Sequence, residues 1–128
     1  MSPSNQPFLL ISGEKDSWAQ VLEQSLESSG SLRVTEAGAA ISLIIENDYA
    51  AIFVDAVSYT DFGLLTSRIR AQRPDARVIV VTSSLTWQRA REAFRSGATD
   101  YIYRSIDRKE LAASLEAALQ KPILPWPR

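Results

Sequence analysis

The chain has 128 residues, of which 45% are hydrophobic and 23% are charged, and its net charge is −1. This length and composition predict a single globular domain with its own core and exclude an intrinsically disordered chain. The sequence contains neither cysteine nor histidine, which excludes disulfide bonds, thiolate zinc sites, thiol nucleophiles and imidazole bases.

The charges are distributed unevenly along the chain. Residues 1–61 contain nine acidic and two basic side chains, whereas residues 62–128 contain six acidic and twelve basic ones. A basic half can attract an acidic protein or a nucleic acid. Because the basic residues are scattered over several segments, we interpret most of them as solvated helix surface and expect no direct contact with nucleic acid.

The first residues and the apolar runs carry no targeting signal. The stretch MSPSNQP lacks a basic region followed by an apolar run, so it is not typical of a secretory signal. No apolar run approaches the roughly 20 residues that a membrane-spanning helix needs. We therefore expect a cytoplasmic protein without membrane contact.

Five short runs predict β-strands. Four of them are continuously apolar, which is typical of parallel strands covered on both faces of a sheet. The other, LRVTEA, alternates between apolar and polar residues and is typical of an edge strand. In chain order the runs are FLLI (8–11), LRVTEA (32–37), AIFV (51–54), VIVV (78–81) and YIY (101–103).

The segments between these runs have apolar residues at helical spacing. Asp16 and Asp107 are predicted N-caps, and Asp107 is followed three residues later by Glu110, a capping-box pattern. The five stripes consist of Trp18, Val21, Leu22, Ser25 and Leu26; Ile41, Ile44 and Ile45; Leu65 and Ile69; Trp87, Ala90 and Phe94; and Leu111, Leu115 and Leu119.

Five repeats of strand and helix predict an α/β fold. Right-handed crossovers give a single doubly wound, flavodoxin-like three-layer sandwich, whose parallel sheet we predict in the order 2-1-3-4-5. We place the domain at residues 7–120, after an N-terminal tail at 1–6. Prolines in QKPILPWPR prevent helix five from continuing, so residues 121–128 are predicted to be a tail or linker. Its apolar residues predict docking on this domain or on a partner.

Polar residues follow several of the predicted strands. In open α/β sheets, ligands bind at the carboxyl ends of strands, and these ends carry Ser12, Asp55, Thr82 and Arg104. Asp55 lies at the predicted switch point between strands one and three. Taken alone, an aspartate at this position is as well explained as a cap or a turn former.

The wider pattern is more informative than Asp55 alone. Asp55, Gly63, Thr82 and SGATDYIYRS (96–105) are spaced in a way that resembles the receiver domain of bacterial response regulators, over about residues 7–120. The resemblance implies that Asp55 matches the aspartate that accepts a phosphoryl group from a histidine kinase. It also implies that Thr82 matches the hydroxyl that binds this phosphoryl group and that Tyr101 matches the aromatic switch residue.

The sequence departs from the family's pattern at three places. Ser12 and Gly13 stand where the family has two adjacent acids that hold Mg²⁺. Arg104 and Ser105 replace the family's Lys-Pro, and Ser58 and Tyr59 replace its Met-Pro. Because a cis bond before a residue other than proline costs about 3 kcal/mol, we predict a trans peptide at the second of these places.

These departures affect the metal site and the basic residue after the fifth strand. Mg²⁺ is usually held by one or two carboxylates plus waters, and phosphoryl transfer depends on it. Asp55 is the one certain carboxylate, and Glu14 is a possible substitute one residue late. We therefore predict that the metal site is lost and that no cofactor is bound. We predict that Arg104 pairs with Asp55, and the alternative is that Arg104 points into solvent.

The resulting hypothesis is a pseudo-receiver that is not an enzyme. It would act as a protein-interaction or dimerisation module through the fourth helix, fifth strand and fifth helix. The basic residues on this predicted surface are Arg89, Arg91, Arg95, Arg108 and Lys109.

Several alternatives stay open at this point. The first is a working receiver that is phosphorylated on Asp55, with Glu14 recruited to Mg²⁺. A ligand other than phosphate in the vacated site and an effector domain beyond residue 128 are further possibilities.

Overall fold

The computed structural model describes residues 6–13 and 17–126, and strands and helices alternate five times along them. The elements are β1 (Gln6–Ile11), α1 (Ser17–Leu26), β2 (Gly30–Thr35), α2 (Ala37–Glu46), β3 (Ala51–Asp55), α3 (Phe62–Gln72), β4 (Val78–Thr82), α4 (Trp87–Arg95), β5 (Asp100–Tyr103) and α5 (Arg108–Gln120). All strand pairs are parallel and the sheet order is β2-β1-β3-β4-β5, which confirms the predicted fold.

The sheet lies between two layers of helices. Because side chains alternate between the faces of a strand, Phe8 and Leu10 face α1 and α5, while Leu9 and Ile11 face α2, α3 and α4. Every residue of β3 and β4 is buried. The continuous apolar runs therefore correctly indicated strands that are covered on both faces.

Strand β2 is an edge strand, as its alternating sequence predicted. It pairs only with β1 among the described strands, and its residues alternate between half-buried and exposed over most of its length. The other edge of the sheet is β5, so the three fully paired strands lie between them. Strands β1 and β3 are neighbours inside the sheet, so their carboxyl ends lie side by side.

The predicted cap of α5 is present. The Asp107 side chain accepts hydrogen bonds from the backbone N–H groups of Lys109 and Glu110. The backbone N–H of Asp107 itself donates to the Ser105 hydroxyl at 3.0 Å, a role that the capping-box pattern had assigned to Glu110. The predicted N-cap of α1, Asp16, lies outside the described residues.

The predicted apolar stripe of α4 is wrong as a core face. Trp87 is 67% exposed and Phe94 is 47% exposed, whereas Ala93 is completely buried. The reason is that α4 approaches the sheet through a small residue, while its larger apolar side chains face outward. None of the helices in the described part of the chain is long and apolar enough to cross a membrane.

Candidate functional site

Asp55 ends β3 with its carboxylate buried among hydrogen-bond donors. The residue is 2% exposed. Its Oδ1 accepts a hydrogen bond from the Val57 backbone N–H at 2.9 Å, and its Oδ2 accepts bonds from the hydroxyls of Ser12 at 2.9 Å and Ser58 at 3.1 Å. A carboxylate removed from water needs such donors to remain charged. The tips of β1 and β3 are thus joined directly through side chains.

Arg104 supplies the positive charge at this site. Its Nη1 lies 3.2 Å from Oδ1 and 3.4 Å from Oδ2 of Asp55, so one nitrogen bridges both carboxylate oxygens. Both side chains are largely shielded from solvent, with exposed fractions of 12% for Arg104 and 3% for Asp55. The alternative in which Arg104 points into solvent is therefore wrong, and the predicted pair is present.

Trp18 of α1 holds the other side of the Arg104 guanidinium. The Arg104 Cζ atom lies 5.1 Å from the centroid of the Trp18 ring, within the range of a cation–π contact. The Trp18 indole N–H donates to the Ser105 carbonyl oxygen at 3.0 Å, which fixes the ring. The peptide between Arg104 and Ser105 is trans, as predicted. The guanidinium is consequently held between a carboxylate and an aromatic face.

Ser12 and Gly13 occupy the positions where the resemblance implied two acids. The Ser12 backbone N–H donates to the Thr35 carbonyl oxygen at 2.9 Å, which fixes this tip against β2. A Cβ atom at Gly13 would lie 3.3 Å from the Ser58 Cβ, so a larger side chain there would crowd Ser58. Glu14, the possible substitute carboxylate, lies outside the described residues.

Among the described residues, those around Asp55 offer few ligands for Mg²⁺. Among the described residues this tip offers one carboxylate, and both of its oxygens already accept hydrogen bonds from neutral or cationic donors. The described residues also contain no group of three acidic, histidine or cysteine side chains placed to hold a metal ion. Magnesium requires several oxygen ligands in near-octahedral geometry, which these residues do not supply.

Thr82 and Tyr101 meet at Ser84 and make no described contact with Asp55. The Thr82 hydroxyl accepts from the Ser84 N–H at 3.1 Å and lies 3.2 Å from the Ser84 carbonyl oxygen. The Tyr101 hydroxyl donates to that same carbonyl at 2.8 Å. The loop after β4 is therefore closed by the two residues that the resemblance implied as switch residues.

The five basic residues predicted on one surface divide into two groups. Arg91, Arg95, Arg108 and Lys109 are exposed. Arg89 is half-buried: its Nη2 donates to the Ala56 carbonyl oxygen at 3.1 Å and its Cζ lies 5.0 Å from the centroid of the Phe62 ring. Arg89 thus ties α4 to the segment after β3.

Three contributors to the site were not identified from the sequence. Ser58 is three residues after Asp55, a common turn spacing, and donates to its carboxylate. Trp18 was assigned to the core stripe of α1, and its contact with Arg104 has no local sequence signal. The Tyr59 hydroxyl accepts from the Ala37 N–H at 2.9 Å and caps α2, whose N-cap residue, Glu36, makes no side-chain cap bond.

Comparison with known proteins identifies the family. A family model described as the response regulator receiver domain matches residues 9–116. The chain belongs to this family. Receiver domains act in two-component signalling, and the buried aspartate at the end of β3 lies where the resemblance places their phosphoacceptor.

The receiver domain has similar curated relatives and solved structures. It is 32% identical over 115 residues to the DNA-binding transcriptional regulator NtrC of Azospirillum brasilense, covering 87% of this chain and 24% of that protein. It is 27% identical to the photosynthetic apparatus regulatory protein RegA of Rhodovulum sulfidophilum, covering 85% of this chain and 61% of RegA. The chain therefore spans about a quarter of the NtrC relative and less than two thirds of RegA.

The structural matches agree on the fold. A response regulator from Thermotoga maritima superposes with a TM-score of 0.80 at 17% identity, covering 91% of this chain and 99% of that one. HP1043, an orphan response regulator of H. pylori, superposes with a TM-score of 0.76 at 27% identity, covering 94% of this chain and 100% of that one.

Proposed function

We propose that this receiver domain works as a phosphorylation-independent interaction module and has no enzymatic activity of its own. The observation that carries the proposal is the closed environment of Asp55, whose oxygens are bonded to Ser12, Ser58, Val57 and Arg104. This environment stabilises the unmodified carboxylate and leaves it poorly placed to attack a phosphodonor.

Two requirements of aspartyl phosphorylation are poorly met. The carboxylate must be an accessible nucleophile, yet Asp55 is 2% exposed and held by charge-assisted hydrogen bonds. A divalent cation must neutralise charge on the transferred group, yet the described residues offer it one carboxylate. The burial of Asp55 likewise does not favour the alternative of a working receiver with Glu14 recruited to Mg²⁺.

The Arg104 guanidinium takes the place of a metal in balancing the Asp55 charge. Removing one member of a buried ion pair strands the other charge, so such a pair holds its two elements in one arrangement. Here the elements are the tips of β3 and β5, linked by the 3.2 Å contact between Arg104 and Asp55. The pair would thus hold the carboxyl ends of β3 and β5 in one arrangement.

The partner surface proposed here is formed by α4, β5 and α5. Three large apolar side chains are exposed on these elements or next to them: Trp87 by 67%, Tyr103 by 45% and Ile106, between β5 and α5, by 78%. Arg91 of α4 and Arg108 of α5 are exposed as well. Aromatic anchors within a charged rim are typical of protein interfaces, so we propose a protein partner or a second copy of the chain, in the cytoplasm, rather than nucleic acid. An effector segment beyond residue 128 is a further candidate partner, because the chain spans only part of its relatives.

The decisive experiment is treatment with acetyl phosphate and Mg²⁺ followed by intact-mass measurement. We expect no phosphoryl adduct on the wild-type chain, and an established phosphoacceptor receiver treated in parallel confirms that the reagent is active. An adduct that disappears in Asp55→Asn would overturn the proposal and establish the working receiver instead.

A further inference from the structure

The segment after α5 returns along the domain and docks on it. We call residues 121–126 the C-terminal strap. The Lys121 ammonium donates to the Asp100 carboxylate at 2.7 Å. Arg77 donates to the carbonyl oxygens of Ala118 at 2.8 Å and Lys121 at 2.6 Å, which satisfies backbone acceptors at the end of α5. The strap therefore begins from a firmly anchored point.

Arg70 is the main anchor of the strap. This α3 residue is 2% exposed, and its guanidinium donates to the carbonyl oxygens of Gly97 at 2.6 Å, Pro74 at 2.8 Å and Leu124 at 2.5 Å. Burial lowers the pKa of Arg70, but an arginine stays protonated in proteins. One permanent cation thus joins α3, the turn between α4 and β5, and the strap.

The Trp126 ring packs against the α4–β5 turn (96–99). Its ring centroid lies 5.6 Å from the Arg70 Cζ atom. Gly97 has a φ of 104°, and a Cβ atom there would come within 3.0 Å of the Trp126 ring. Glycine is thus required at position 97 both for the backbone conformation and for the seat of the tryptophan. Docking of the strap is therefore a specific contact with the α4–β5 turn.

The docked strap is also only loosely packed. A cavity of about 390 Å³ is lined by the strap together with residues such as Phe94 and Thr99, and Leu124 is 71% exposed. A segment with few buried apolar contacts opens at a lower free energy than the core. Pro122 and Pro125 restrict the free segment, so the entropy lost on redocking is small.

Two elements connect the strap with the end of the sheet where Asp55 lies. Helix α4 contacts the Ala56 carbonyl oxygen near its start through Arg89, and it ends at the α4–β5 turn. Strand β5 begins at Asp100, which binds Lys121, and it is followed by Arg104, which binds Asp55. A displacement of α4 and β5 beside the strap therefore reaches the region around Asp55 through these same two elements.

We propose that the C-terminal strap is a releasable contact whose docking reports the position of α4. A shift of the α4–β5 turn away from α3 removes the Gly97 acceptor from Arg70 and the seat of Trp126 together. The strap then undocks and changes the direction in which the chain leaves the domain. By thermodynamic linkage, release of the strap loosens α4 by the same coupling free energy. This coupling does not depend on whether Asp55 is phosphorylated.

The test uses the full chain with Arg70→Met, Trp126→Ala and the control Arg68→Met, an exposed arginine on the same helix. The backbone amides of Gly97, Ala98 and Thr99 donate within and beyond the turn. We expect their hydrogen exchange to accelerate at least tenfold in Arg70→Met, which loses three hydrogen bonds, and about tenfold in Trp126→Ala, which loses the ring packed on Gly97. Arg68→Met is expected to leave these rates unchanged.

The reciprocal arm uses Arg89→Met, which loosens the start of α4 far from the strap. We expect the indole N–H resonance of Trp126, assigned by its loss in Trp126→Phe, to move towards its position in Arg70→Met. Unchanged exchange at residues 97–99 in Trp126→Ala would overturn the proposal, and this variant decides the matter if Arg70→Met fails to fold. The proposal would also be overturned if the Trp126 resonance did not move in Arg89→Met. It would be overturned as well if the position of this resonance in the wild-type chain depended on protein concentration.

Discussion

The environment of the Asp55 carboxylate is set by the side chains around it more than by its position in the sequence. Its place after an apolar strand is shared with any receiver aspartate, but its oxygens accept bonds from Ser12 and Ser58 hydroxyls and from the Arg104 guanidinium. Serine at position 12 thus does more than remove an acid, because its hydroxyl donates where an acid would repel. Three departures from the family's pattern therefore act together on one carboxylate.

Removal of Arg104 is expected to strand the Asp55 charge. Breaking a buried ion pair from one side costs about 3 kcal/mol, and the unfolding free energy of Arg104→Ala in urea measures this loss. In Asp55→Ala/Arg104→Ala part of the loss is expected to be recovered, because no unpaired charge remains. The double-mutant cycle isolates the coupling.

A matched cycle controls for non-specific effects of these substitutions. Arg33 is an exposed arginine on β2, so Arg33→Ala and Asp55→Ala are expected to be additive. Additive losses for Arg104→Ala and Asp55→Ala as well would show that the 3.2 Å contact contributes no coupling.

Among the secondary-structure elements, the loop after β3 connects the site with α2. The Tyr59 N–H donates to the Asp55 carbonyl oxygen at 3.1 Å, while its hydroxyl accepts from the Ala37 N–H at 2.9 Å. The Tyr59 hydroxyl is thus the cap acceptor at the start of α2, because the side chain of the N-cap residue Glu36 makes no cap hydrogen bond. The loop that follows Asp55 is therefore linked through Tyr59 both to β3 and to the start of α2.

Loss of the Tyr59 hydroxyl is expected to weaken this connection. Tyr59→Phe leaves the Ala37 N–H without its acceptor, and loss of a helix cap costs about 1 kcal/mol of unfolding free energy. The control is Tyr49→Phe, since Tyr49 packs against the same core cluster and makes no described hydrogen bond through its hydroxyl. Equal losses in both variants, measured by chemical unfolding, would contradict the capping role.

For the whole molecule, the sequence predicted the sheet better than the surfaces. Continuous and alternating apolar runs are local signals, so the five strands and the edge position of β2 followed from them, and the rule of right-handed crossovers then gave the strand order. The exposed stripe of α4 and the inward turn of Arg89 depend on which helix lies opposite. Likewise, the sequence marked the strap as apolar, but only the fold brings Arg70 and Gly97 to it.

The response to Mg²⁺ tests how the whole fold balances the charge of Asp55. A ligand that binds only the native state raises the unfolding free energy by RT ln(1 + [L]/Kd), so a millimolar site at about 10 mM Mg²⁺ would add about 1.4 kcal/mol. We expect no such rise, because the Arg104 guanidinium already balances the Asp55 charge and the Ser12 and Ser58 hydroxyls already donate to its Oδ2. The measurement compares urea midpoints in Mg²⁺ and in NaCl of equal ionic strength. A rise in Mg²⁺ that is absent in Asp55→Asn would mean that the cation displaces Arg104, and the closed site proposed here would then be one of two states.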